Sequence, residues 1–353
     1  MFYLSKETQH QADVAHIAYF PESDIDLDRL TYSMQELKAE KQWIPERFHG
    51  AIDSGTLYRM SEQWQDFLNW CEQTIATHQV HFENMYKNRL LIATKFDEAA
   101  AEVFNDSLHD GAILNIKRQD GNVTLLIDMR GGFTPKAVIR LTFMEAQETG
   151  ELARDYVYDE LIETTNGYVL RVLSGSPYDE WTIDFTDVKA SFVYRPKAYT
   201  EREQYKDVFS YIGDLTPSLH YFILENQEFI DFDVHNIEQR ETGFFINDLL
   251  LGITTEQVIE RIYCDLYEDP FAHFSEMVPL EELEEAALSE DPVLRVRAFN
   301  TMFEIDRKAA PIVNRVLRII QVEEHEEMLM QVIAEHFEKL GLLDAEVKER
   351  WLS

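Results

Sequence analysis

The chain has 353 residues, 66 acidic and 32 basic, and a formal charge of −34. That length is a prior for two or three domains, and 45 % hydrophobic and 12 % aromatic residues provide material for real cores. Such a carboxylate surplus argues against binding to nucleic-acid backbones or anionic membranes, because both need concentrated basic surface. Cys71 and Cys264 are too few and too far apart for a disulfide framework or a cysteine metal motif. The first twenty residues lack the basic and apolar regions of a signal peptide, and no run approaches 18 apolar residues. A cytoplasmic location is expected, with no nucleic-acid or membrane partner.

Residues 1–107 read as a helical region. Leu27, Leu30, Met34 and Leu37 recur at helical spacing after Asp24, Asp26 and Asp28, whose carboxylates suit a helix N-terminus. Trp64, Phe67, Leu68, Cys71 and Ile75 repeat the pattern. A longer helix is predicted from Val80 to Phe104, with Met85, Tyr86, Leu90, Ala93, Phe96 and Ala100 close to one stripe.

From Ala112 the period changes to two. Ala112–Gln119 and Asn122–Arg130 flank Asp120-Gly121, a hairpin signal because both turn residues tolerate positive φ. Further strands are predicted at Ala137–Ala146, Tyr156–Thr165, Tyr168–Leu173 and Trp181–Phe185, with a second tight turn at Asn166-Gly167. Residues 108–195 therefore read as an antiparallel meander of five or six strands.

Residues 196–353 read as an acidic, all-α region. Half of the charge excess, −17, falls within residues 196–290. Val258, Ile259, Ile262 and Leu266 predict one helix over 255–268, before Pro270. Asp291-Pro292 opens another with a capping acid and a proline at the first position. Helices follow from Lys308, with Ile312, Val316 and Ile319, and from Glu323 to Leu340, with Met328, Val332, Phe337 and Leu340 near one face. The spacing of Asp291, Pro292, Arg295, Arg297 and Ala298 resembles the repeat of HEAT-type helical solenoids. The fold class expected is α+β: a helical N-terminal region, an antiparallel β-meander and a HEAT-like helical C-terminal region.

The middle of the chain carries a second resemblance. Leu108-His109-Asp110-Gly111-Ala112-Ile113, the hairpin after it, and Gly131-Gly132-Phe133-Thr134 resemble a bacterial family catalogued as domain of unknown function number 4085. Tyr156-Val157-Tyr158-Asp159-Glu160 is similar to a later aromatic segment of that family, and the opening Met1–Glu7 to its start. The resemblance covers about residues 1–195. It implies a helical N-terminal half and a small β domain, and lends no established activity.

Several residues are candidates for chemistry. His109-Asp110 has the makings of a general base, an imidazole oriented by a carboxylate, although neighbours on a strand point to opposite faces and need a turn to cooperate. The bland reading is a helix-to-strand junction in which Asp110 bonds local amides. His78 and His81 lack a third metal ligand and read as a solvated helix start. Asp24, Asp26 and Asp28 mimic half of a calcium loop, but Arg29 and Gln35 stand where glycine and glutamate are needed. Asp231, Asp233 and His235 share one strand face, and His325 and His336 one helix face. Glu281, Glu282, Glu284 and Glu285 read as a polar helix surface. No P-loop, dinucleotide fingerprint or nucleophile elbow occurs, and Ser174-Gly175-Ser176 falls at a turn.

The candidate binding residues are His109, Asp110, Tyr158 and Glu160, with Glu281, Glu282, Glu284 and Glu285. No cofactor or metal is expected. The preferred reading is a non-enzymatic protein that binds a basic protein partner, for instance an immunity- or antitoxin-like neutraliser of a cationic bacterial toxin. The alternatives are a metal-dependent hydrolase of unrecognised type and a scaffold or regulatory module.

Overall fold

In the computed structural model, Asp120 (φ 52°) and Gly121 (φ 77°) both adopt the left-handed conformation that a two-residue hairpin turn requires. They join β1 (Gly111–Gln119) to β2 (Asn122–Asp128) in antiparallel register. The structure describes residues 2–19, 27–59, 61–215, 220–223, 229–232, 236–322 and 324–352. It divides into two compact units, Met1–Tyr267 and Glu268–Ser353. No helix among the described residues is long and apolar enough to cross a membrane.

The first unit begins with helices α1 (Lys6–Ala18), α2 (Leu27–Ala39), α3 (His49–Ser54), α4 (Ser61–Ala93) and α5 (Glu98–Asn105). Ser5 caps α1 through a reciprocal capping box with Thr8. The helix marked by Trp64 to Ile75 and the one predicted from Val80 to Phe104 differ from what forms: α4 runs unbroken for 33 residues, and the break comes after Ala93. Asp97 decides it, because its carboxylate accepts from Ala100 N at 3.0 Å and starts α5 afresh.

The sheet continues with β3 (Lys136–Met144), β4 (Gln147–Gly150), β5 (Asp155–Thr164), β6 (Gly167–Ser174), β7 (Asp179–Phe185) and β8 (Asp187–Tyr194). The predicted strands are present, but β4 and β8 are additional. Lys189, Ala190 and Ser191 in β8 have weak strand preference, and pairing with β3 overrides it. The second hairpin is shifted by one residue: Gly167 pairs with Thr164, so the turn is Thr165-Asn166.

Beyond β8 come α6 (Val208–Gly213), β9 (His220–Ile223), β10 (Phe229–Phe232), β11 (Glu238–Arg240), β12 (Gly243–Ile246), β13 (Leu249–Gly252), α7 (Thr255–Ile259) and β14 (Ile262–Cys264). This corrects the all-α reading of the segment after 196. The helix predicted over 255–268 ends at Ile259, and Ile262–Cys264 is a strand paired with β8 and β9. Val258, Ile259 and Ile262 do share one core, but from two elements rather than one helical face. Among the described residues the main sheet has eleven antiparallel strands in the order β10-β9-β14-β8-β3-β2-β1-β5-β6-β7-β4, and β11-β12-β13 form a separate sheet.

The largest core lies between that sheet and the α4–α5 corner. Phe96 and Phe104 pack with Leu125, Leu141, Phe143, Trp181 and Phe185. Each such side chain contributes about 1.5–3 kcal/mol on burial, and this packing fixes the end of α4 against the sheet. Both cysteines are free and buried, and burial pushes the Cys71 thiol up to about 12.

The second unit contains α8 (Leu283–Ala287), α9 (Pro292–Ile305), α10 (Ala310–Ile319), α11 (Glu324–Lys339) and α12 (Ala345–Leu352). Asp291 caps α9 as predicted, accepting from Val293 N at 2.9 Å. The expected stripe on α11 is displaced. Met330, Ile333, Ala334 and Phe337 are buried, whereas Met328 and Val332 face outward. In a helix with apolar residues on more than one side, the neighbours choose the buried face.

Candidate functional site

A pocket of about 190 Å³ opens between α4, β5 and the turn that leads from α5 into β1. Helix α4 contributes Phe82, Met85, Tyr86 and Arg89, a set at i, i+3, i+4 and i+7 that lies on one helical face. The turn contributes Ser107 and His109, and β5 contributes Val157, Tyr158 and Asp159. A register shift between Tyr156 and Tyr158 interrupts the β5–β6 pairing at this point, and such irregularities re-aim side chains.

Asp110 is left-handed (φ 65°), within a turn closed by Gly111 N–H donating to the Leu108 carbonyl at 3.1 Å. The turn places His109 Nδ1 2.8 Å from Asp110 Oδ1. Asp110 sits at a helix-to-strand junction, as the bland reading has it, with its carboxylate close to the imidazole, but Nδ1 has no partner at hydrogen-bonding angles among the described residues. Its own N–H donates to the Tyr156 carbonyl at 3.1 Å, tying the turn to β5. The His109 ring stands perpendicular to Tyr158 at 4.9 Å, and Tyr158 perpendicular to Phe82 at 5.1 Å.

The glycine turn closes the same neighbourhood. A Cβ on Gly132 would come within 2.8 Å of the His109 carbonyl oxygen and 2.6 Å of Met129 Cε, so only glycine fits there. Phe133 beside it is 82 % exposed, with its ring 6.4 Å from His109. Thr134 Oγ1 donates to Asp106 at 2.7 Å, and the buried Lys136 ammonium reaches both Asp106 and Glu102. Three motifs far apart in sequence thus converge around His109.

Beneath the pocket lies an ion pair. Arg89 Nη1 donates to both oxygens of Asp159, at 3.2 and 3.1 Å, with the side chains 10 % and 3 % exposed. Burial opposes the Arg89 charge, but Asp159 outweighs it and raises the guanidinium pKa. Burial, with the Asp159 charge added, holds the Tyr156 hydroxyl well above the usual phenol value. Tyr158 is raised too, by burial and then by Asp13 and Asp110.

Residues 3–185 match the family described as Protein of unknown function (DUF4085). The chain belongs to this family. No curated protein and no solved structure matches the chain. The pocket lies wholly within the part that matches DUF4085.

The other candidates fall elsewhere. Glu160 does not line the pocket; its buried carboxylate accepts from Tyr3 N at 2.9 Å and Leu4 N at 2.8 Å, holding the start of the DUF4085 region against β5. Burial lifts its pKa despite these bonds. His78 and His81 are not a solvated helix start, because α4 runs through them. His78 Nε2 bonds Gln9 Oε1 at 3.0 Å, and the His81 ring lies 4.9 Å from Tyr3. His336 keeps part of its ring in water and also meets Asp306 at 2.9 Å and packs on Phe303. The side chain of His325 and that of Asp28 lie outside the described residues, as do Asp24, Asp26, Asp233, His235 and the side chain of Asp231. Among the described residues no three His, Cys, Asp or Glu side chains are placed to hold a metal ion.

Glu281 and Glu282 precede α8, and Glu284 and Glu285 lie in its first turn. Glu284 pairs with Arg315 at 2.7 Å. Glu281, Glu282 and Glu285 are exposed and have no ion-pair partner among the described residues. Phe82, Tyr86 and Arg89 had no distinguishing sequence signal, since one more partly apolar stripe on a long helix reads as core. Asp159 stood inside a quoted motif, but nothing in sequence pairs it with Arg89, seventy positions away.

Proposed function

We propose that the protein is a non-enzymatic interaction protein that binds a basic protein partner through residues 268–290. The observation that carries this reading is the composition and exposure of that stretch. It holds eight carboxylates and neither lysine nor arginine. Phe271, Met277 and Leu280 stand among them 61 %, 55 % and 48 % exposed. Carboxylates without ion-pair partners steer a cationic protein inward, and apolar side chains between them supply contact area after encounter. Among the described residues, Glu276, with Arg297 at 2.9 Å, and Glu284, with Arg315, are the carboxylates of this stretch that are paired within the unit.

In its most specific form the partner is a cationic toxin, such as a nuclease with a basic phosphate-binding groove, and the protein is its immunity- or antitoxin-like neutraliser. The charge of the stretch is what motivates that form, since a phosphate-binding groove is basic.

The test is purification of the tagged full chain from its host at low ionic strength, followed by identification of the bound protein. A partner of net positive charge is expected, released as salt rises. The triple variant Glu281→Lys, Glu282→Lys, Glu285→Lys should lose it while remaining folded. Binding that ignores both salt and charge reversal would sink the proposal.

A further inference from the structure

We propose that the pocket between α4 and β5 binds a small aromatic molecule that carries an acceptor oxygen and no positive charge. This inference does not depend on the basic partner, and it concerns a different surface. Phe82 and Tyr86 are exposed at the pocket, and the Phe82 and Tyr158 rings meet at 83°. Aromatic walls set edge to face receive a third ring in the same manner. A volume of about 190 Å³ admits a single ring rather than a drug-sized ligand.

Apart from His109 and Asp159, the polar groups of the lining are donors, and they choose the head of the ligand. Arg89 is nine-tenths buried and directs Nη1 at Asp159, yet among the described residues nothing accepts from its Nε. That Nε is closed to solvent, so a ligand oxygen meets it only when the Arg89 side chain shifts toward the pocket, and such a shift relieves a costly unmade bond. Ser107 Oγ accepts the His109 N–H at 3.3 Å, which leaves its own proton to donate. The Tyr158 hydroxyl is a phenol, protonated at neutral pH, and has a proton to donate. Asp159, the one carboxylate in the lining, already accepts twice from Arg89. A cationic head would be repelled by the guanidinium, and the Asp159 charge it needs is already neutralised by Arg89.

Calorimetry on the full chain with three probes of one ring size tests this: phenylacetamide, phenylacetate and 2-phenylethylamine. Both acceptor probes should bind at least about tenfold more tightly than the amine, as one hydrogen bond to a charged donor is worth. Phe82→Ala removes an exposed wall and should weaken phenylacetamide about tenfold with the far-UV circular dichroism unchanged. In the free protein, the Arg89 Nε–H resonance should shift on adding phenylacetamide and stay fixed on adding the amine. No saturable binding of either acceptor probe, equal or tighter binding of the amine, or an unmoved Nε–H resonance overturns the proposal.

Discussion

Two surfaces of this protein treat charge in opposite ways. Around the pocket every buried charge has a partner: Arg89 with Asp159, Lys136 with Glu102 and Asp106. Along residues 268–290 carboxylates accumulate in contact with water, where they need none. Burial explains the difference. A charge withdrawn from water must be paired and hydrogen-bonded, whereas an exposed one is screened and tolerates like neighbours. The first arrangement is therefore expected to be sensitive to single changes, and the second to be free to vary in stability while governing who binds.

The largest effect should come from Arg89→Ala. It strands a nearly fully buried Asp159 and should cost about 3–5 kcal/mol, read by urea unfolding of the full chain. A loss below about 1 kcal/mol would show that the pair is not buried in solution.

Gly132→Ala comes next. Its Cβ would strike the His109 carbonyl, and overpacking of this kind costs about 1–3 kcal/mol. The same substitution should displace the His109 imidazole resonances. In the second unit, Asp291→Ala removes the α9 cap and should cost about 1 kcal/mol in thermal unfolding.

Glu160 offers a pH signature. Burial raises its folded-state pKa above the ordinary 4.5, so the folded chain holds this proton more firmly than the unfolded chain. The stability it contributes is fully present below the ordinary value and is lost as pH rises through the raised one. The difference in unfolding free energy between wild type and Glu160→Gln should fall as pH climbs through that window. A flat difference would mean that the Tyr3 and Leu4 amides fully compensate burial.

The smallest stability effect belongs to the Glu281, Glu282 and Glu285 reversal, within about 0.5 kcal/mol of wild type. If it instead unfolds the chain, these carboxylates have a structural partner, and the contrast between the two surfaces collapses.

The sequence was most legible where one or two residues decide a local conformation. Asp120-Gly121 marked its hairpin and Asp291-Pro292 its helix start, because positive φ and capping are properties of those residues themselves. His109, Asp110 and Tyr158 were picked out by motif, and His109 and Tyr158 do line one pocket. Legibility failed where a neighbour casts the deciding vote. Ile262–Cys264 became a strand by pairing with β8 and β9, and α11 buried Met330 and Ile333 instead of Met328 and Val332.

By itself, then, the sequence determined a helix–sheet–helix order, the turns and caps that punctuate it, and the uneven division of its negative charge. These follow from side-chain chemistry acting over a few residues. Only the tertiary structure decided that Arg89 meets Asp159, that Gly132 seats the His109 turn, and that Glu160 clasps the start of the chain. Those contacts join positions far apart in sequence, and they exist because packing of the α4–α5 corner on the sheet brings buried polar groups within hydrogen-bonding distance.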